Sequence, residues 1–274
     1  MTRQGFPGAI WHASPNFGHG SQPWNWGRIG RADGSPIRWI VPHTLEYFDT
    51  SRGLHSLSRY DRSGLKSAHY LVADDAIYQL VDDRNQAWTQ GINPSRSSAA
   101  RADYDNAGGS PNPWSIGIET VGVASDPATW TQGTIDNWGA LVGWLSWAYG
   151  IPLEYTETVV NGRADNLPLM GVVAHGAISS YRSDPGTHFP WGEIRQAAVT
   201  YLDQTPHSVL ASGLDTQPQV QAQLQGHPHY QGPETEPPPL EVSEEPQVMM
   251  AGIGGGPVLA LLMVATGLAW WANR

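Results

Sequence analysis

Two imidazoles and a carboxylate, His43, His175 and Asp184, are the side-chain types that hold a catalytic zinc ion while leaving its fourth position open for water. His43 closes Arg38-Trp-Ile-Val-Pro-His43, an apolar run that reads as a strand ending where α/β sheets build their sites. His175 closes a second short apolar run, Gly171-Val-Val-Ala-His175, which also reads as a buried strand. Asp184 follows nine residues later inside Ser183-Asp-Pro-Gly186, a turn-forming stretch. Two strand ends and a turn are able to bring three ligands to one point. A zinc ion held there lowers the pKa of its water to about 7 and polarises a carbonyl, which is what amide hydrolysis at neutral pH demands.

The chain has ten histidines, so most of them must do something else. His207, His227 and His229 lie in a Pro/Gln-rich stretch and read as solvated, and His12 and His19 read as loop residues. The surroundings of His55 do not distinguish a helix surface from a pocket rim. His69 opens the run Ser67-Ala-His-Tyr-Leu-Val72 and is the strongest competitor for a metal role, with a place in the pocket wall or behind the ligands as its preferred reading. Glu119 ends Ser115-Ile-Gly-Ile-Glu119 between apolar neighbours. A partly desolvated carboxyl there has a raised pKa and suits proton transfer, whereas a solvated strand end is the plainer alternative.

The elements that must position these groups are legible from periodicity. Residues 35–205 alternate short apolar strands with helical stretches, the pattern of an α/β layer fold. Ile135, Trp138, Leu141, Val142, Leu145 and Ala148 recur at helical spacing from about Thr131 to Tyr149, and Gly150-Ile-Pro152 stops the helix. A second helix is expected from about Gly192 to Leu202. Asn93 to Pro113 is polar and reads as a long surface loop near the cleft. Residues 1–34 read as an irregular arm packed on this domain.

Taken in order, Ile40-Val-Pro-His-Thr-Leu-Glu46, Ser67-Ala-His-Tyr-Leu-Val72, Ala87-Trp88, Ser115-Ile-Gly-Ile-Glu-Thr120, Val173-Ala-His-Gly176 and Arg182-Ser-Asp-Pro-Gly-Thr-His-Phe-Pro-Trp191 resemble the type 2 N-acetylmuramoyl-L-alanine amidases. This zinc family includes phage lysozyme-amidases, bacterial muropeptide amidases and peptidoglycan recognition proteins. The resemblance covers about residues 35–200 and implies a central mixed β-sheet flanked by helices. It places the zinc ligands on His43, His175 and Asp184 and the acidic catalytic residue on Glu119. A basic residue, usually lysine, falls on Arg182, which keeps the charge and is able to hold an oxyanion but does not donate its proton. Ala68 stands where some members have tyrosine, and Thr89 where histidine is common. The spacing from His175 to Asp184 is a residue shorter than in many members. The implied reaction is hydrolysis of the bond between N-acetylmuramic acid and L-alanine in peptidoglycan. A non-catalytic wall-binding module of the same fold and a zinc peptidase acting on the stem peptide are the alternatives.

Composition agrees with this class. The net charge of −10, with no Lys/Arg cluster, argues against nucleic acid as a partner. The absence of cysteine excludes disulfides and a Cys-ligated version of the site. Thirteen tryptophans suit a sugar-polymer cleft, although most such rings are expected in the core. Residues 206–248, acidic and rich in Pro and Gln, read as a linker that cannot fold. Met249 to Trp271 carries no charge and is long enough for a C-terminal transmembrane helix, with Trp270, Trp271 and Arg274 at its end. The first residues lack the apolar core of a secretory signal, and Arg274 on the inside would leave the enzyme facing the wall.

Overall fold

β3 (Trp39–Thr44) is the strand around which the sheet is organised, and all six of its residues are buried. A computed structural model describes residues 3–18, 36–59, 66–92, 97–156 and 167–214. β3 is flanked in parallel by β7 (Ser115–Thr120) and β9 (Gly171–Val173). β4 (Tyr70–Val72) extends the sheet beyond β7, and β8 (Tyr155–Thr156) extends it beyond β9, both in parallel. β5 (Ile77–Gln79) turns back antiparallel to β4, and β1 (Ile10–Trp11) lies parallel to β5 at the edge. Among the described residues this gives a seven-stranded mixed sheet in the order β1-β5-β4-β7-β3-β9-β8. β2 (Phe17–Gly18) and β6 (Gln86–Ala87) pair separately.

Both faces of the sheet are covered, which is why its central strands are almost continuously apolar. On one face Ile40, Ile116, Ile118 and Val172 meet α3 (Gln132–Tyr149) and α5 (Trp191–Gln204). On the other, Trp39, Val41 and Val173 pack with Ala177 and Ile178 of α4 (His175–Ile178). Alternation along a strand then decides where chemistry can occur: His43 shares the face of Trp39 and Val41, and Glu119 that of Ser115 and Gly117.

α3 begins where its sequence asks it to. Thr131 caps it by accepting from the Thr134 N–H, and Gly150, at φ 65°, ends it in the left-handed region that favours glycine. The expected stripe of Trp138, Leu141, Val142 and Leu145 is fully buried. Burial of such side chains contributes roughly 1.5–3 kcal/mol each. α5 spans a few residues more than expected.

Several expectations need correction. The stretch from Asn93 to Pro113 is not simply a loop: α2 (Ser98–Asn106) forms there, capped by Ser97, with Ala100 and Asp103 buried. The signal was hidden because a nine-residue helix of Ser, Ala, Asp and Asn has little apolar periodicity. The arm is not wholly irregular, since Ile10 and Trp11 join the sheet and Phe6 enters the core. The unfolded linker does not begin at 206, because α6 (His207–Ala211) follows α5 and places Leu210 and Leu214 against the core. Residues 215–248 and the apolar run 249–271 lie outside the described residues. Among those described, no helix is long and apolar enough to cross a membrane.

Gly139 and Gly143 let α3 lie close against α5. A Cβ at Gly139 would fall 2.3 Å from the Ala197 Cβ and 2.8 Å from its backbone carbon. Gly139→Val should therefore lower unfolding stability by about 1–3 kcal/mol despite the better helix propensity of valine, as read by urea denaturation. Unchanged stability would mean the two helices have room to separate.

Candidate metal and catalytic site

The parallel register sets His43 directly beside Glu119, on neighbouring strands and on the same face of the sheet. His175 arrives differently from the strand end expected for it. β9 stops at Val173, and His175 is the first residue of α4, a single turn that swings the ring in beside His43. The two ring centroids are 4.4 Å apart. Asp184 comes from the turn after α4, held there by the Gly176 N–H donating to the Asp184 carbonyl at 3.1 Å. Gly186, at φ 87°, completes the turn against Ala124, whose carbonyl a Cβ would strike at 2.4 Å.

The three predicted ligands are thus brought together: one donor atom from each of His43, His175 and Asp184 lies within 4.8 Å of the others. His43 Nδ1 lies 2.8 Å from Asp184 Oδ2, and His175 Nδ1 lies 3.0 Å from the same oxygen. The opposite ring nitrogens face oxygen acceptors. His43 Nε2 is 3.0 Å from Gln90 Oε1, and His175 Nε2 is 2.9 Å from the Gln90 main-chain carbonyl. The Gln90 amide is oriented by its NH2 group, which donates to Ser115 Oγ at 3.1 Å. Both nitrogens of each ring thus face acceptors, and a metal ion bound between the Nδ1 atoms and Asp184 would leave each Nε2 as the donor to Gln90.

Burial and the His43–Asp184 contact act in opposite directions on both groups. Burial, and then the neighbouring His175, push the His43 pKa below its ordinary 6.5 against the pull of Asp184. Burial works to raise Asp184, but the contacts from His175 and His43 outweigh it and hold the carboxylate well below its usual range. Two imidazoles whose Nδ1 atoms converge on one ionised carboxylate are groups that a divalent cation such as zinc would bind.

Glu119 is in the opposite condition. Desolvation, and then the charge of Asp184, raise its pKa to about 8, while Lys66 and Arg182 pull it back down. Its Oε2 is buried without a hydrogen-bond partner among the described residues. Arg182 is exposed, stacks 5.8 Å from the Tyr181 ring, and makes no ion pair among the described residues, with Asp184 or any other acid. Its guanidinium approaches the backbone of Gly91. His69 is not part of the cluster: its ring is buried, accepting from the Gly117 N–H through Nδ1 and facing the Asn85 carbonyl through Nε2.

Gln90 is the residue that sequence reasoning missed. A polar side chain following Trp88-Thr89 carries no periodic or motif signal, and its site lies far from both histidines in the chain. One local clue existed in Gly117, where a Cβ would fall 2.3 Å from Thr89 Oγ1. The missing side chain lets residues 88–90 lie against the site face of β7. Lys66, whose charge reaches Glu119, was also passed over. Beside Asp184 opens a cleft of about 720 Å³ whose walls include Ser125, Thr187 and the half-buried Trp191.

A mixed α/β sheet that gathers two buried histidines, an ionised aspartate and a high-pKa glutamate near its strand ends has the donor set of a metal-dependent hydrolase. The N-acetylmuramoyl-L-alanine amidase family model matches residues 33–187, over half of the chain, and the chain belongs to that family of amidases. Among solved structures, a selenomethionine derivative of AmpD is similar at TM-score 0.48 and 20% identity, covering 69% of this chain and 94% of that one. The catalytic domain of XlyA follows at TM-score 0.42 and 19% identity, covering 69% and 98%. The Staphylococcus aureus hydrolase AmiA, in complex with its ligand, stands at TM-score 0.45 and 16% identity, covering 62% and 77%. No curated protein sequence matches the chain. The family assignment rests on the family match alone.

The raised Glu119 pKa has a sign that stability measurements can check in metal-free protein. The unfolded chain ionises Glu119 near 4.5 and the folded chain only near 8, so folding stability contributed by this group is lost as pH rises between them. Glu119→Gln should match wild type near pH 4.5 and exceed it at pH 8 by on the order of 2–4 kcal/mol. Equal stability of the two proteins at both pH values would show that the carboxyl is solvated.

Proposed function

We propose that this chain hydrolyses the amide bond between N-acetylmuramic acid and L-alanine in peptidoglycan, with a zinc ion held by His43, His175 and Asp184. The observation that carries the reading is the convergence of both Nδ1 atoms on one carboxylate, with each ring's other nitrogen facing an oxygen of Gln90. When bound there, zinc supplies a Lewis acid and a water that ionises near neutral pH. The protein's own residues do the rest.

Glu119 is the proton carrier. Desolvated and next to His43, it is placed to take a proton from the attacking water and return it to the leaving amine. Arg182 is assigned to the developing oxyanion, where a fixed charge and a planar fork of donors stabilise it without giving up a proton. Its exposure at the mouth of the site supports contact with substrate. The cleft beside Asp184 has the volume typical of ligand sites, and Trp191 in its wall supports an apolar contact with a sugar face. We read the enzyme as a wall-lytic one, of phage endolysin or bacterial type, because an anchored enzyme suits polymeric wall better than soluble fragments. The uncharged run 249–271 supports attachment to a membrane with the catalytic unit facing the wall, and Gly252 to Gly256 within it offers small-residue spacing.

Digestion of purified peptidoglycan, followed by mass spectrometry, tests the reading. Stem peptides with a free L-alanine amino terminus should appear, vanish on thorough chelation and return with added zinc. Glu119→Gln should lower kcat by about 10²–10⁴-fold. Fragments in which muramic acid keeps its L-alanine would instead indicate a stem-peptide peptidase, and binding without any product would indicate a wall-binding module. Full cleavage after metal removal would overturn the zinc mechanism.

A further inference from the structure

Outside the three ligands, one buried residue contacts both histidine rings. Gln90 is 1% exposed, and its four hydrogen-bonding groups are all engaged. Its N–H donates to Asn112 Oδ1 at 3.0 Å, and its carbonyl faces His175 Nε2 at 2.9 Å. Its Oε1 faces His43 Nε2 at 3.0 Å, and its NH2 donates to Ser115 Oγ at 3.1 Å. We infer that Gln90 is the positioning residue that turns Nδ1 of both histidines toward the metal, holding His43 through its side chain and His175 through its main chain.

The inference rests on the zinc reading above, and its logic is tautomeric. A metal ion bound at Nδ1 forces the hydrogen onto Nε2, and a buried imidazole N–H without an acceptor is costly, so the two Gln90 oxygens supply what the metal-bound tautomer requires. Oxygen of the Gln90 amide faces His43 only while Ser115 accepts from the other end. Were the amide reversed, its NH2 would require a bare Nε2 on His43 and would move the hydrogen to Nδ1, against Asp184. Asn112 plays the corresponding part for His175, fixing the backbone whose carbonyl receives the second ring. The segment that reads in sequence as a polar surface loop thus ends in a residue that helps orient a ligand.

Two substitutions separate this role from general packing. Glu at position 90 always presents an acceptor to His43 Nε2, however the group is turned, whereas Leu presents none. In the full chain, zinc affinity measured by competition with a chromophoric chelator should fall about 10–100-fold in Gln90→Leu. Gln90→Glu should bind zinc at least as tightly as wild type. ¹⁵N signals of labelled histidine in Gln90→Leu should change for His43 and persist for His175, whose acceptor is main chain. Thermal melting checks that Gln90→Leu folds, and if it does not, Ser115→Ala carries the test, because freeing the amide to turn should weaken zinc binding while leaving the fold. Gln90→Leu, or Ser115→Ala in its place, binding zinc as wild type does, while His43→Ala loses it, would overturn the role of Gln90 and leave the zinc site standing. Wild-type affinity in His43→Ala as well would overturn the zinc reading itself.

Discussion

The arrangement depends on where two buried ring hydrogens go. His43 and His175 are almost fully buried, and in the metal-bound state each has one N–H that must find an acceptor. Gln90 provides both, one from its side chain and one from its backbone. With those hydrogens on Nε2, as a bound metal would require, both Nδ1 atoms and Asp184 are held within reach of a single cation. Sheet register does the coarse positioning, and this pair of hydrogen bonds does the fine positioning.

The same small volume holds two carboxyl groups in opposite states. Asp184, contacted by both imidazoles, stays ionised well below its usual pKa, while Glu119, desolvated and close to the Asp184 charge, keeps its proton to about pH 8. Groups pushed apart in this way divide the labour between ligand and proton carrier. Lys66 and Arg182 limit how far Glu119 can rise. Neither state would follow from residue type alone, since each comes from what lies within a few ångströms.

Much of this was visible in the sequence, and the reasons for what was not are physical. The apolar runs before His43 and within Ser115-Ile-Gly-Ile-Glu119 identified buried strands, and strict alternation carried His43 and Glu119 to one face. The long α3 stripe was equally plain because helix period and core burial coincide over 18 residues. The approach of His175 was misjudged, as a four-residue helix leaves no periodic trace and the preceding Gly-Val-Val-Ala reads as strand. α2 and α6 were missed because short helices anchored by one or two buried side chains look like polar loop or linker. Gln90 was out of reach, because its importance lies in contacts 47 residues back and 85 residues on, which no local pattern encodes.

The central claim is that His43, His175 and Asp184 form one metal site, and metal content tests it most directly. Wild-type protein loaded with zinc, freed of excess and analysed by elemental mass spectrometry should contain about one zinc per chain. Asp184→Ala protein of equal thermal stability, treated the same way, should contain far less. Equal zinc in the two proteins, or none in either, would contradict the account.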